Sequence, residues 1–393
     1  MLPVGLLVPL TVLTLQAQTG ARVRADTVSR EFAADLLAIP TVSLDVSERD
    51  WNMSLGSTTM ASYLDIFRPL QDPLGVMENV VASFSYRTRR VTITLSETGQ
   101  IGYQNLRLGA LSTSSLTTLS VPTVGLPPTG GSTTTNGVLI NEMALYGSTS
   151  TNLLVSEAIS RNVTLSQYGR VTASSGFGTD VSLYPSQVSA GVGVQGQYRI
   201  NERETVGLQN WVDRTGTRGR ASLISIGLAG TWTHAFSPRT SGFLNLGASY
   251  IFPESEVGAQ DAVRDPVLTP NITLGLNMTE TPFTVTLGLI PVIDQISGRL
   301  DTRVTGSLQY TEKRGPYTWN GALGTSTSME QDRFGAFVSF FGNAGVGYAL
   351  TREFQLTAGG GTSYQLAPYA DDDGTAIFFA QFGISFTPQS LRL

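Results

Sequence analysis

Asn271–Ile290 reads NITLGLNMTETPFTVTLGLI, and this stretch decides the fold. Ile272, Leu274, Leu276 and Met278 share one face of a period-2 segment, with Thr273, Gly275 and Asn277 on the other. After the short polar turn Thr279–Thr281 the pattern restarts. Phe283, Val285, Leu287 and Leu289 then oppose Thr284, Thr286 and Gly288. A strand of a soluble sheet turns its second face to bulk water and usually carries Lys, Glu, Arg or Asp there. Here that face holds glycine and small neutral polar residues, and no charge falls between Thr281 and Ile290. Apolar on one side and small-polar on the other is the pattern of a transmembrane β-hairpin with lipid outside and a lumen inside.

Composition agrees with this reading. Only 14% of the 393 residues are charged, against roughly 25% in soluble proteins. Beyond the N-terminus, no stretch stays apolar for the ~20 residues that a membrane helix needs. A transmembrane barrel produces this combination, because alternation dilutes its apolar residues. The 42 glycines show no Gly-X-Y period, which excludes collagen. With 41% hydrophobic content, the chain is not disordered. The absence of cysteine excludes disulfides and thiolate metal sites. A net charge of −5, with no basic run longer than Arg89-Arg90, offers no nucleic-acid-binding face.

The N-terminus reads as an export signal over residues 1–17. Leu6, Leu7, Val8, Leu10, Val12, Leu13 and Leu15 form its apolar core, and Leu15-Gln16-Ala17 its cleavage site. Residues 18–78 are expected to be an N-terminal periplasmic extension, through which a protein partner would be contacted, or a plug that enters the lumen. Within them Thr27–Ile39 has helical spacing in Phe32, Leu36 and Leu37. Asp45–Gly75 reads as irregular, broken by Pro69 and Pro73. The barrel then occupies residues 79–393.

Val80, Ala82, Phe84 and Tyr86 open the alternation. Val91, Ile93 and Leu95 follow across Arg87–Arg90, as a tight hairpin or a bulged strand. Ser96–Gly99 reads as a turn, Gln100–Ala110 as a strand, and Ser112–Asn136 as an external loop, or part of one folded inward. Thirteen strands are then expected from residue 151 to 387. Tight connections (Asn201–Arg203, Ser237–Arg239, Thr279–Thr281, Thr351–Glu353) alternate with longer ones such as Pro253–Val267 and Ala367–Gly374. Short periplasmic turns and long extracellular loops are the habit of outer-membrane barrels. The total is about 14 strands, an even number as bacterial single-chain barrels require; counting differently gives 12 or 16. The fold class is therefore all-β: a closed antiparallel up-and-down transmembrane barrel. Tyr198, Trp232, Phe236, Tyr250, Tyr310, Tyr317, Trp319 and Tyr348 lie near strand ends, as an interfacial girdle would place them.

The last strand, Thr375–Thr387 (TAIFFAQFGISFT), carries Phe378, Ala380, Phe382, Ile384 and Phe386 on one parity. In this the chain resembles Gram-negative outer-membrane β-barrels of the porin-like kind. The resemblance implies a bacterial outer-membrane location, contact with lipid and lipopolysaccharide, and recognition of the aromatic last strand by barrel-assembly machinery.

Little catalytic chemistry is present. The single histidine, His234, shares parity with Trp232 and Phe236 on the lipid side, and no sequence neighbour supplies the partner a general base needs. Asp371-Asp372-Asp373 lacks the spacing of a calcium loop and reads as a solvated acidic tip. No catalytic residue, metal or cofactor is therefore assigned, and the protein is not expected to be an enzyme. Parity places Arg170, Arg199 and Arg303, with Asp301 nearby, as candidate pore-lining charges that bias which ions pass. The function expected is passive or weakly selective diffusion of small hydrophilic solutes. The alternative is a structural or conduit barrel that holds a protein partner or plug.

Overall fold

The computed structural model describes residues 10–26, 32–63, 74–105, 143–178, 186–218, 222–254, 266–278, 283–293, 300–328, 338–366, 375–388 and 391–392. Nearly all of them are strand. The first five are β1 (Leu10–Asp26), β2 (Phe32–Ser47), β3 (Trp51–Tyr63), β4 (Leu74–Arg87) and β5 (Val91–Asn105). Next come β6 (Met143–Ala158), β7 (Val163–Gly176), β8 (Gln187–Arg199), β9 (Glu204–Thr217), β10 (Ser222–Ser237) and β11 (Thr240–Glu254). The rest are β12 (Val267–Met278), β13 (Phe283–Ile293), β14 (Leu300–Arg314), β15 (Tyr317–Ser328), β16 (Val338–Ala349), β17 (Phe354–Leu366) and β18 (Thr375–Phe386). Each pairs antiparallel with its sequence neighbours, and β1 pairs with β18 from Ala17↔Phe386 to Asp26↔Ile377, which closes the cylinder. A two-residue segment, β19 (Leu391–Arg392), extends this seam against Val12 and Leu13.

The barrel thus has 18 wall strands, more than expected, and the difference lies at the N-terminus. β6 to β18 match the thirteen strands expected from residue 151 on. Val91–Leu95 and the start of Gln100–Ala110 merge into the single strand β5, the alternation from Val80 to Tyr86 falls in β4, and β1 to β3 add the remainder. Where residues 18–78 were expected to form an extension or plug, β2, β3 and the start of β4 are wall, and the expected boundary at residue 17 falls inside β1. The physical reason is visible in the alternation. Leu15, Ala17, Ala21 and Val23 face out while Gln16, Gln18, Gly20 and Arg22 face in, so the segment buries nothing as a helix but pairs along both edges as a strand. The helical spacing expected in Thr27–Ile39 gives way in the same manner to β2, since Leu36 lies outward at 49% exposure beside the inward Asp35 and Leu37. Ser96–Gly99 is not a turn either. Glu97 pairs with Ala82 and Thr151 in mid-strand, and the real turn of the β4–β5 hairpin is Thr88–Arg90.

Every even-to-odd connection within the described residues is tight, and local chemistry fixes several of them. Thr88, Ser160 and Thr351 each use a side-chain oxygen to accept backbone N–H groups two and three residues ahead, at 2.9–3.3 Å. This hydroxyl turn needs only Ser or Thr at the first position. Gly315, at φ +58°, occupies the left-handed region in the β14–β15 turn, immediately before Pro316. Apart from the short β9–β10 link, the odd-to-even connections are the longer ones, the largest running from Asn105 to Met143. The segments Ser112–Asn136 and Asp371–Asp373 lie outside the described residues.

The cylinder is apolar outside. Leu274, Leu287 and Phe382 are 45%, 48% and 65% exposed, whereas Gln195, Gln209, Asn245, Ser249 and Asn271 are buried on the inner face. A soluble sandwich would reverse that order. Rings cluster at the tight-turn end, with centroid pairs Tyr317–Tyr348 at 5.0 Å, Phe283–Tyr310 at 4.9 Å and Phe354–Phe386 at 4.7 Å. That is the level at which an aromatic belt meets headgroups.

Candidate functional site: the inner wall

Alternation decides which side chains can reach the axis, and register decides which of them meet. On β7 the inward set is Thr164, Ser166, Tyr168, Arg170 and Thr172; on β9 it is Gln209, Trp211 and Asp213. β8 lies between them and presents Gly191, Gly193 and Gln195. Because Gly191 pairs with both Arg170 and Asp213, no side chain separates these two, and Arg170 Nη2 lies 3.6 Å from Asp213 Oδ1. One row along, Tyr168 leans over Gly193 and Trp211 over Gly227, so that a methyl group at either glycine would run into the ring. Large residue beside glycine recurs around the wall at Phe243 on Gly275, Phe341 on Gly324 and Phe379 on Gly361. Each bulky side chain lies flat against the ladder instead of crossing the lumen.

The sector from β8 to β12 is rich in amides and hydroxyls. Gln209 Nε2 donates to the Tyr168 hydroxyl at 3.0 Å. The side-chain oxygens of Gln209 and Asn245 have no hydrogen-bond partner. Asn271, Ser249, Thr269 and Thr273 continue the same face. At the seam, Asp35 accepts from Arg22 Nε at 3.2 Å and Nη2 at 3.0 Å, which pairs two buried charges across β1 and β2.

The four residues expected to line the pore fall in different places. Arg170 is inward and ion-paired. Arg303 is also on the inner face of β14 and is only 1% exposed. Arg199 has inward parity but sits at the tight-turn rim, exposed, with its Nε donating to the Asn201 carbonyl at 3.3 Å. Asp301 holds a register position opposite Val292, and its side chain is outside the described residues. Arg170 and Arg303 are not brought together with Arg199. Reading singled out the arginines and missed Tyr168, Trp211 and Asp213. The alternation of Gln209, Trp211 and Asp213 with Leu208, Asn210 and Val212 was the signal that could have found two of them.

His234 corrects a further expectation. Glu204, on the paired strand, does supply a partner, with Oε1 3.2 Å from His234 Nδ1. The imidazole also stacks on Trp232 at 5.6 Å and meets Phe236 edge-on at 4.8 Å, on the outer face near the tight turns. This pair belongs to the interfacial belt, away from the inner wall.

No protein-family model and no curated protein sequence matches the chain. Solved structures do. The chain superposes on the FrpB iron transporter of Neisseria meningitidis (F5-1 variant) with a TM-score of 0.50 at 10% identity, over 91% of this chain and 63% of that one. It therefore spans less than two thirds of FrpB. OccK2 (OpdF) of Pseudomonas aeruginosa, crystallised with glucuronate, matches at a TM-score of 0.48 and 12% identity, over 96% of this chain and 98% of that one. The outer membrane protein OpdK of the same organism gives 0.49 and 10%, over 97% and 99%. The likeness to the first of these shows the fold, a closed antiparallel β-barrel.

Proposed function

We propose that the chain is an outer-membrane channel through which small hydrophilic solutes diffuse passively or with weak selectivity. The observation that carries the reading is the inverted polarity of the wall. A cylinder with exposed Leu and Phe outside and Gln, Asn, Ser and Thr inside is solvated correctly only when lipid surrounds it and water fills it. Barrels of 16–18 strands are wide enough to leave an aqueous channel. Midway along the wall two charge pairs compensate each other, Arg22 with Asp35 and Arg170 with Asp213. A wall of that kind favours neutral polar solutes and gives ions only a mild preference.

Reconstitution into a planar bilayer tests the reading. Stepwise, steady conductance is expected on insertion, and a correctly folded barrel that inserts without conducting would sink it. The same recording tests Arg170. Asp213→Asn removes the carboxylate at 3.6 Å and exposes the guanidinium charge to the lumen. The chloride-to-potassium permeability ratio should then rise by roughly a factor of 2–5, as a change of about 0.4 to 0.8 kT in local potential gives when it acts oppositely on the anion and the cation. Arg170→Gln should shift it the other way. An unchanged ratio in both variants would remove the pair from the conducting path.

A further inference from the structure

A basic concavity lies at the tight-turn mouth, away from the Arg170 row. Two adjacent turns, 48–50 and 88–90, meet there around a cavity of about 570 Å³. Its lining contains Arg49, Arg87, Arg89 and Arg90, with Asp50 as the one acidic residue. The floor is made of hydroxyls, Thr92, Ser156 and Thr164, which stand on the inward parity of β5, β6 and β7. The basin therefore opens into the periplasmic end of the lumen and not onto lipid.

Three features make it a built site. The turns are tied together, since Arg87 N donates to Asp50 O at 2.7 Å and Ala158 N to Arg90 O at 2.8 Å. Thr88 Oγ1 accepts from the N–H groups of Arg90 and Val91, which holds the arginine turn rigid. Glu48, in the first of these turns, is engaged elsewhere, accepting from Trp51 Nε1 at 2.8 Å. Four guanidinium groups face one carboxylate in a chain whose net charge is −5, so the local excess does not reflect general basicity. Each planar fork can grip an oxyanion with two parallel hydrogen bonds. The volume is that of a small-molecule site.

We propose that this arginine basin binds a small polyanion carrying two or more phosphate or carboxylate groups. Binding relieves the mutual repulsion of the four cations, which are held close by backbone that cannot spread them. It requires the closed barrel but not conduction, so it stands or falls separately from the channel reading.

Isothermal titration of the full chain, folded in detergent at low salt, tests it with pyrophosphate as the phosphate probe and citrate as the carboxylate probe. Saturable binding of at least one probe is expected, and which one binds assigns the group. Affinity should fall more than tenfold in Arg89→Gln/Arg90→Gln and should weaken steeply with added salt. Arg352→Gln, on the turn before β17, should bind as the parent does. The substituted turns are exposed, and heat-modifiable migration on gels checks that each barrel is closed. Failure of both probes to saturate, or unchanged affinity in the double variant, would overturn the proposal.

Discussion

Leu287→Lys is expected to cost about 2–4 kcal/mol of folding stability in phospholipid vesicles, the penalty of a lysine on the lipid face near mid-membrane. Leu287 lies near the centre of β13, exposed, opposite Leu274 on β12. The adjacent change, Thr286→Lys, places the same charge one residue away on the inner face. There the ammonium meets the polar lumen, and the cost should stay within the ~0.5 kcal/mol typical of a tolerated surface substitution. Equilibrium urea unfolding of both variants in vesicles makes the comparison. Propensity and strand position barely differ between neighbouring positions, so the contrast isolates the direction each side chain points. Equal losses would mean that lipid does not contact the Leu287 face.

Asp35→Ala is the second large effect. Its carboxylate is completely buried and takes two hydrogen bonds from Arg22, itself 6% exposed. Removing it leaves a buried guanidinium short of its counter-charge, a change that costs about 3–5 kcal/mol in buried pairs. The location amplifies the effect. β1 is the strand that closes the cylinder, and Arg22 stands opposite Gln381 of β18 in the seam register. The barrel should unfold at lower temperature, read as loss of the compact heat-modifiable band. Replacing both partners, Arg22→Met with Asp35→Leu, should recover most of the loss, because no charge is then stranded. A double variant as unstable as Asp35→Ala would show that packing around the seam, rather than charge, sets the penalty.

Much of the wall could be read from the chain because a barrel strand writes its environment with period 2. From Val91 onward the ladder needs only neighbours in sequence. The hairpin β12–β13 states its two faces in 20 residues, and tight turns alternating with longer connections give its direction. The first three strands resisted the same reading for two reasons. Leu6, Leu7, Val8, Leu10, Val12, Leu13 and Leu15 form one dense apolar run with few polar residues to mark a second face, and Phe32, Leu36 and Leu37 imitate a helical face. What overrides these local signals is an edge on each side: β1 pairs with β2 locally and with β18 some 360 positions later.

The site divides in the same way. Parity alone assigned Arg170 and Arg303 to the inner face, since a side chain's direction follows from its own strand. It could not say that Asp213 answers Arg170, that Glu204 answers His234, or that Arg49 joins Arg87, Arg89 and Arg90. Those meetings depend on register and closure, which are set by hydrogen bonds between strands and not by the composition of any one of them. The sequence by itself determined which face of each regular strand meets lipid. Tertiary structure alone decided how many strands close the ring and which charges come to rest beside one another, because both are properties of pairing across the sheet.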